Sequence, residues 1–187
     1  DNAVTETKLS GKSGDLYWNV DANGKLTITG NGDFDYYDEP QWQEAGQYIK
    51  SCVVNVTGLT NAEDMFANLP YLQSIEFENF DTSNVTTMNG MFYGDRSLKE
   101  IDLSGFNTGN VTDMSYMFGS CSTLKKLDLR NMNTGKCEDF GRMFRKCRQL
   151  EQLALQGWNT ENAGDWGIAD MFEGCNNLRR LQLDSFS

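Results

Sequence analysis

The stretch VTDMSYMFGSCSTLKKLDL, residues 111–129, decides the fold because its pieces return at fixed intervals. Its Met117-Phe118 pair has counterparts at Met65-Phe66, Met91-Phe92, Met143-Phe144 and Met171-Phe172, giving steps of 26, 26, 26 and 28 residues. Take each Met as position zero. Position +7 holds Leu72, Leu98, Leu124, Leu150 and Leu178, and position +10 holds Ile75, Ile101, Leu127, Leu153 and Leu181. Position +12 holds Phe77, Leu103, Leu129, Leu155 and Leu183, and +15 holds Phe80, Phe106, Met132, Trp158 and Phe186. Upstream, −6 holds Leu59, Val85, Val111 and Cys137, and −3 holds Ala62, Met88, Met114 and Phe140. A period of this length is the signature of stacked repeats.

One unit has too few inward positions to stand alone. Ordering its backbone costs roughly 1–2 kcal/mol per residue, and only neighbours that bury the same face against one another offset that. The Leu-x-x-Leu-x-Leu segment ends in a period-two alternation, so it predicts a short strand with +10 and +12 inward. Units repeating in one direction lay these strands side by side as a parallel sheet, about 4.8 Å apart. The Met-Phe segment has apolar residues at −3, 0, +1, +4 and +7, which is helical spacing. The fold predicted is an α/β repeat solenoid: a right-handed coil with a parallel sheet on one face and short helical or 3₁₀ turns on the other. The fifth unit has two extra residues in NAGDWGIADMF, which puts Ile168 at −3 and assigns Trp166 to plug a widened corner.

A second ladder follows the strands: Asp81-Thr82, Asn107-Thr108, Asn133-Thr134 and Asn159-Thr160. Such side chains bond backbone groups that a tight corner leaves unpaired, and stacked at one level they reach the next coil. The structural reading is preferred to a polar binding stripe.

Residues 1–56 differ from the repeats of 57–187 and read as a β-rich capping segment. LYWNVDANGKLTIT, residues 16–29, is a hairpin pattern: Leu16, Trp18 and Val20 alternate on one arm, Leu26 and Ile28 on the other. IKSCVVNV, residues 49–56, reads as a further strand. A first coil has an open apolar end and an unpaired sheet edge, and such a segment covers both. Between them lies DFDYYDEPQWQ, residues 33–43. Its Tyr36, Tyr37 and Trp42 beside Asp33, Asp35, Asp38 and Glu39 read first as capping and second as a sugar or ion site. The run lacks the glycine and terminal Glu of a calcium loop. At the other end, the bare stop after the fifth strand predicts that the natural protein continues past Ser187.

Composition excludes several functions. There is no histidine, which removes His-dependent triads and mixed-ligand zinc sites. The net charge is −11: residues 1–107 carry 17 acids against 6 bases, and the remainder carry 10 of each. An acidic half repels phosphate, so no nucleic-acid partner is expected. The cluster Arg142, Arg145, Lys146, Arg148 is the local exception, read as a solvated face before a patch for an acidic partner. No apolar run reaches the roughly 18–20 residues that span a bilayer, so no membrane insertion is expected. Cys121, Cys147 and Cys175 share position +4 and predict a column of buried thiols, with Cys52 and Cys137 lone apolar-face residues. Five cysteines without a C-x-x-C pair do not make a disulfide framework or a metal site; no cofactor is expected. Glu76, Glu78, Glu100 and Asp102 offer the carboxyl spacing of a glycosidase, but a smooth sheet gives them no cleft. The chain is not expected to be an enzyme.

LDLRNMNTGKCEDFGRMFRKCRQLEQLAL and IDLSGFNTGNVTDMSYMFGSCSTLKKLDL resemble the 26-residue units of the BspA-like leucine-rich-repeat surface proteins of bacteria. The resemblance covers residues 57–187. It departs from better-known leucine-rich repeats in putting a bulky residue where their Asn follows the strand, and its first unit is degenerate, with Leu59 and Ala62. It implies an extracellular or cell-surface protein that adheres to a host or neighbouring-cell surface or matrix protein, or to a glycan. The face available is the outward one at +9, +11 and +13, so the candidate binding residues are Glu76, Glu78, Glu100, Asp102, Lys126, Asp128, Arg130, Gln152, Gln156 and Arg180. The alternatives are a merely solvated face, since no aromatic anchor lies on it, and a structural spacer of a larger surface protein.

Overall fold

The computed structural model describes residues 7–183. The expectations for Phe186 and for a continuation past Ser187 lie outside the described residues. Strands β1 (Ser10–Ser13), β2 (Leu16–Val20) and β3 (Lys25–Asn31) form an antiparallel meander. The expected hairpin is β2–β3. Asp21 Oδ1 accepts from the Asn23 and Lys25 N–H groups at 2.8 and 3.0 Å, and Gly24 takes φ +77°. An aspartate that bonds its own turn, followed by a glycine free to go left-handed, is what this corner requires.

A 3₁₀ helix (Gln41–Tyr48) leads to β4 (Ser51–Thr57), which runs parallel to β3. Lys25 pairs with Ser51 and Asn31 with Thr57, an offset of 26 residues. The cap thus ends in a coil of the same pitch as the repeats, with the 3₁₀ helix in place of a Met-Phe segment. Two contacts fasten it to the first unit. Buried Trp42 donates its indole N–H to the Met65 carbonyl at 2.7 Å, and the Asp33 carboxylate accepts from Thr60 N, Thr60 Oγ1 and Asn61 N at 2.7, 2.6 and 3.1 Å.

Strand β5 (Ser74–Phe80) extends the first sheet in parallel. Strands β6 (Lys126–Asp128), β7 (Gln152–Ala154) and β8 (Arg180–Gln182) form a second parallel sheet. Its register stacks Leu127, Leu153 and Leu181 in one row and Lys126, Gln152 and Arg180 in another, as the repeat demands. The chain is a leucine-rich-repeat solenoid.

Opposite the sheets, the Met-Phe segments form hydrogen-bonded turns, not continuous helix. Positions −1 and +3 are left-handed in every unit: Asp64, Gly90, Tyr116, Arg142 and Asp170, then Asn68, Gly94, Ser120, Lys146 and Gly174, with φ from 53° to 79°. The consequence is an alternation of donors. Met91, Tyr93 and Asp95 N–H groups close turns to residues 88, 90 and 92, while Met88, Gly90, Phe92 and Gly94 donate to the next coil at residues 113, 115, 117 and 119, at 2.8–2.9 Å. Half of the donors a helix would use along its axis instead join neighbouring coils.

Between the two sides, the position +1 rings form a column. Phe66, Phe92, Phe118, Phe144 and Phe172 stack at centroid distances of 5.6, 5.4, 5.9 and 5.7 Å, within 15° of parallel. The Thr ladder is structural, as expected. Buried Thr82, Thr108 and Thr134 donate to the carbonyls of Asn107, Asn133 and Asn159 at 2.9, 3.0 and 2.9 Å. One expectation fails in the fifth unit: Trp166 is 85% exposed and plugs nothing. Ile168 does take the −3 place, its carbonyl accepting the Met171 N–H at 3.3 Å as in the other units, and is 48% exposed because no described coil stacks beyond it.

The parallel sheet is interrupted once. Residues 99–103, the strand position of the second unit, belong to neither sheet. Phe77 stands in the +12 row where the later units have Leu, and its ring lies 4.9 Å from Phe106 and 5.2 Å from Phe80. A register shift in the β4–β5 pairing leaves Glu78 as an extra residue, which bends and twists a strand. Three clustered rings and a bulge stand where β5 meets the second unit.

Candidate binding face

Eight of the ten predicted surface residues are exposed; Gln152 and Gln156 are half-buried. They share one side of the solenoid, but the broken sheet divides them. Glu76 and Glu78 lie on β5, Glu100 and Asp102 on the unpaired segment, Lys126 and Asp128 on β6, Gln152 on β7 and Arg180 on β8, while Arg130 and Gln156 follow β6 and β7. Arg130 is not free: its Nε and one terminal nitrogen hold Asp128 at 2.9 and 2.6 Å. This hydrogen-bonded pair lowers the Asp128 carboxyl and raises the Arg130 guanidinium. Asp102 Oδ1 accepts from the Ser104 N–H at 2.9 Å, which lowers that carboxyl too.

Grooves flank the 99–103 segment. The wider, about 560 Å³, lies between β5 and the second unit. Its walls carry Glu76, Glu78 and Asp102, and its floor Ile75, Phe77 and Phe106. The other, about 460 Å³, lies between Asp102 and the Asp128–Arg130 pair. Ile75, Phe77 and Ile101, inward by pattern, are half-exposed here, whereas Leu127 and Leu153 are buried where the strands close. Sequence reasoning missed these apolar groups as surface. The signal was Phe in a Leu row.

The remaining polar clusters resolve differently. In the cap, Trp42 and Asp33 serve the junction with the first unit, leaving the exposed tyrosines Tyr36 and Tyr37 with rings 4.9 Å apart. Asp35, Asp38, Glu39 and Glu44 line a shallow groove beside them. Among the described residues no group of three or more acidic or thiol side chains is placed to hold a metal ion. The basic cluster is largely paired: Arg142 contacts Asp170 at 3.1 Å and the Tyr116 hydroxyl at 2.9 Å, and Arg145 holds Glu173.

The +4 column is built as the sequence indicates, with a role that was not legible. Cys121, Cys147 and Cys175 donate their S–H groups to the Phe92, Phe118 and Phe144 carbonyls at 3.1, 3.1 and 3.0 Å. Burial pushes all three thiols up, Cys175 to about 11. In the second unit the column holds Asp95, fully buried. Its Oδ1 accepts from Leu69 N–H at 3.0 Å, its Oδ2 has no protein partner, and burial raises the carboxyl well above its ordinary range. No helix among the described residues is long and apolar enough to cross a membrane.

Residues 60–186 match the family model described as "Mycoplasma protein of unknown function, DUF285". The chain belongs to this family. Among solved structures, the DUF285 chain is similar to a leucine-rich repeat protein of T. pallidum, at 15% identity and a TM-score of 0.51, over 95% of this chain and 85% of that one. That likeness shows a shared fold. Weaker similarities reach a leucine rich cell surface protein of Faecalibacterium prausnitzii A2-165 (15%, TM-score 0.34, covering 95% of this chain and 40% of that one) and a leucine-rich repeat protein of Eubacterium ventriosum (14%, TM-score 0.29, 91% and 83%). No curated protein matches the DUF285 chain.

Proposed function

We propose that this chain is a non-enzymatic binding module, secreted or displayed at a bacterial surface, that recognises a protein partner through the sheet side of its solenoid. The repeat motif's resemblance to BspA-like surface proteins supports the setting. The observation that carries the binding reading is the exposed acidic run Glu76, Glu78, Glu100 and Asp102, which sits beside apolar groups left half-exposed by the open sheet. An acidic patch on a rigid scaffold steers a basic partner and fixes its register. The test immobilises a panel of extracellular-matrix proteins and glycans and compares wild type with the Glu76→Lys/Glu100→Lys/Asp102→Lys variant. Capture of a protein, lost in the variant at unchanged melting temperature, supports the reading; capture of a glycan alone redirects it.

A spacer role is the second reading. It is favoured by the Asp128–Arg130 pair, whose charges satisfy each other, and by the lack of an aromatic anchor at the outward positions. Wild type that captures nothing from the panel supports the spacer.

A further inference from the structure

The break in the sheet leaves an unusual arrangement: two sheet edges face each other across a segment that pairs with neither. β5 pairs only with β4, and β6 only with β7. Along 99–103, the Leu103 carbonyl accepts from the Asn131 side-chain amide at 2.8 Å and the Phe106 N–H at 3.0 Å. No backbone ladder bond joins residues 99–102 to either sheet. Exposed edge backbone of this kind is a template for a further strand.

We propose that this slot docks an extended, cationic segment of a protein partner by strand addition. The inference rests on the binding reading above and narrows it to a place and a chemistry. Three features carry it. The outer edge of β5 and the backbone of residues 99–102, which no ladder bond joins to either sheet, offer main-chain bonds to an extended chain. Glu76, Glu78 and Asp102 wall the wider groove without a basic residue among its lining, so the complementary side chains are Lys or Arg. Glu76 and Glu78 flank Phe77 on one strand, both exposed, so cations either side of an apolar residue on the docked strand match them. The third feature is the floor of Ile75, Phe77 and Phe106, which takes the apolar residues between those cations.

Two features argue that the gap is a built site. The Phe77–Phe80–Phe106 rings pack together at its base, and the turns behind it stay bonded, with Asp64, Phe66 and Asn68 donating to residues 89, 91 and 93 at 2.7–3.0 Å.

The probe is a fluorescein-labelled peptide of sequence Lys-Val-Lys-Val-Lys-Val-Lys, titrated by anisotropy in 150 mM salt. Its controls are the Glu-Val counterpart and a Lys-Val peptide N-methylated at alternate residues, which keeps charge and apolarity but loses donors. Saturable binding is expected, weakened at least tenfold by N-methylation and at least tenfold by Glu76→Gln/Glu78→Gln/Asp102→Asn, with none for the acidic peptide. Amide exchange at Ile101, Asp102 and Leu103 should slow on binding. Equal affinity for the N-methylated peptide, or unchanged exchange at 101–103, overturns strand addition and leaves bare charge attraction. No binding of the Lys-Val peptide overturns the slot. If the matrix-protein capture described above still depends on the acidic run, the binding reading survives that loss; if that capture fails as well, both fall.

Discussion

Asp95 makes the fold's most quantitative demand. The carboxyl sits in the +4 column between Leu69 and Cys121, with one oxygen on the Leu69 amide and the other buried and unpartnered. Its titratable neighbours are the thiols of Cys52 and Cys121, both raised by burial and so neutral, and no cation faces it. The folded protein therefore favours the protonated acid, while an unfolded Asp ionises near pH 4. The sign follows: the stability contribution is complete below about pH 4 and is lost as pH rises toward the folded-state value, at about 1.4 kcal/mol per pH unit. Asp95→Asn keeps the acceptor for Leu69 and carries no charge. Urea unfolding of wild type and Asp95→Asn, followed by circular dichroism from pH 4 to 8, should give a difference that grows by about 1.4 kcal/mol per unit in favour of the variant before levelling. Asp64, raised to about 6 by half-burial and by the charges of Glu63 and Glu39, contributes the same sign in both proteins and cancels. So do the lowered carboxyls of Asp81, Asp102, Asp128 and Glu173. A flat difference across that range would refute the account of a neutral, buried Asp95.

Two further outcomes test the ladders. Phe118 lies mid-column, fully buried, with rings at 5.4 and 5.9 Å on either side; Phe118→Ala should cost about 3–5 kcal/mol in urea unfolding, and clearly more than the same change at half-buried Phe172. Thr134→Val keeps the shape but removes the hydroxyl that donates to the Asn159 carbonyl at 2.9 Å and accepts its N–H at 2.8 Å. It should cost about 1–3 kcal/mol and speed amide exchange at Asn159, whereas unchanged exchange there would deny the corner its stated role.

The parts legible in the sequence were those where the side-chain pattern and the backbone repeat coincide. The Leu127–Leu153–Leu181 row follows from alternation plus a fixed period, and the Thr ladder from corner chemistry at the same period. On the turn side the expected short turns are present, but apolar spacing reports only which residues point inward and does not separate a helix from tandem turns. Residues −3, 0, +1 and +4 face the core in a helix and also in tandem turns with left-handed residues at −1 and +3. Gly90, Gly94, Gly174, Asp64 and Asn68 carried the turn signal, since Gly, Asn and Asp tolerate that conformation; Tyr116, Arg142 and Lys146 at the same positions masked it. The coil hidden in the cap escaped because Gln41–Tyr48 replaces the Met-Phe marker while the strands keep the 26-residue offset. Trp166 was misplaced for a plainer reason: a large apolar residue beside an insertion reads as filler, and only the folded chain shows the indole turned out to solvent.

Why the fold tolerates a missing strand pair follows from having two ladders. On the sheet side, β6, β7 and β8 are held by three residue pairs per interface, and at about 1 kcal/mol net per hydrogen bond losing such a run costs a few kcal/mol. On the turn side the bonds never lapse: Ala62, Asp64, Phe66 and Asn68 donate to the second unit, and Met88, Gly90, Phe92 and Gly94 donate from it to the third. The ring column also passes through the gap unbroken, at 5.6 and 5.4 Å. The second coil is therefore anchored on its far side and in its core while its sheet side stands open. A strand entering there would gain the missing backbone bonds without reordering the coil behind it, beside the carboxylates of Glu76 and Glu78 on β5 and of Glu100 and Asp102 on the unpaired segment.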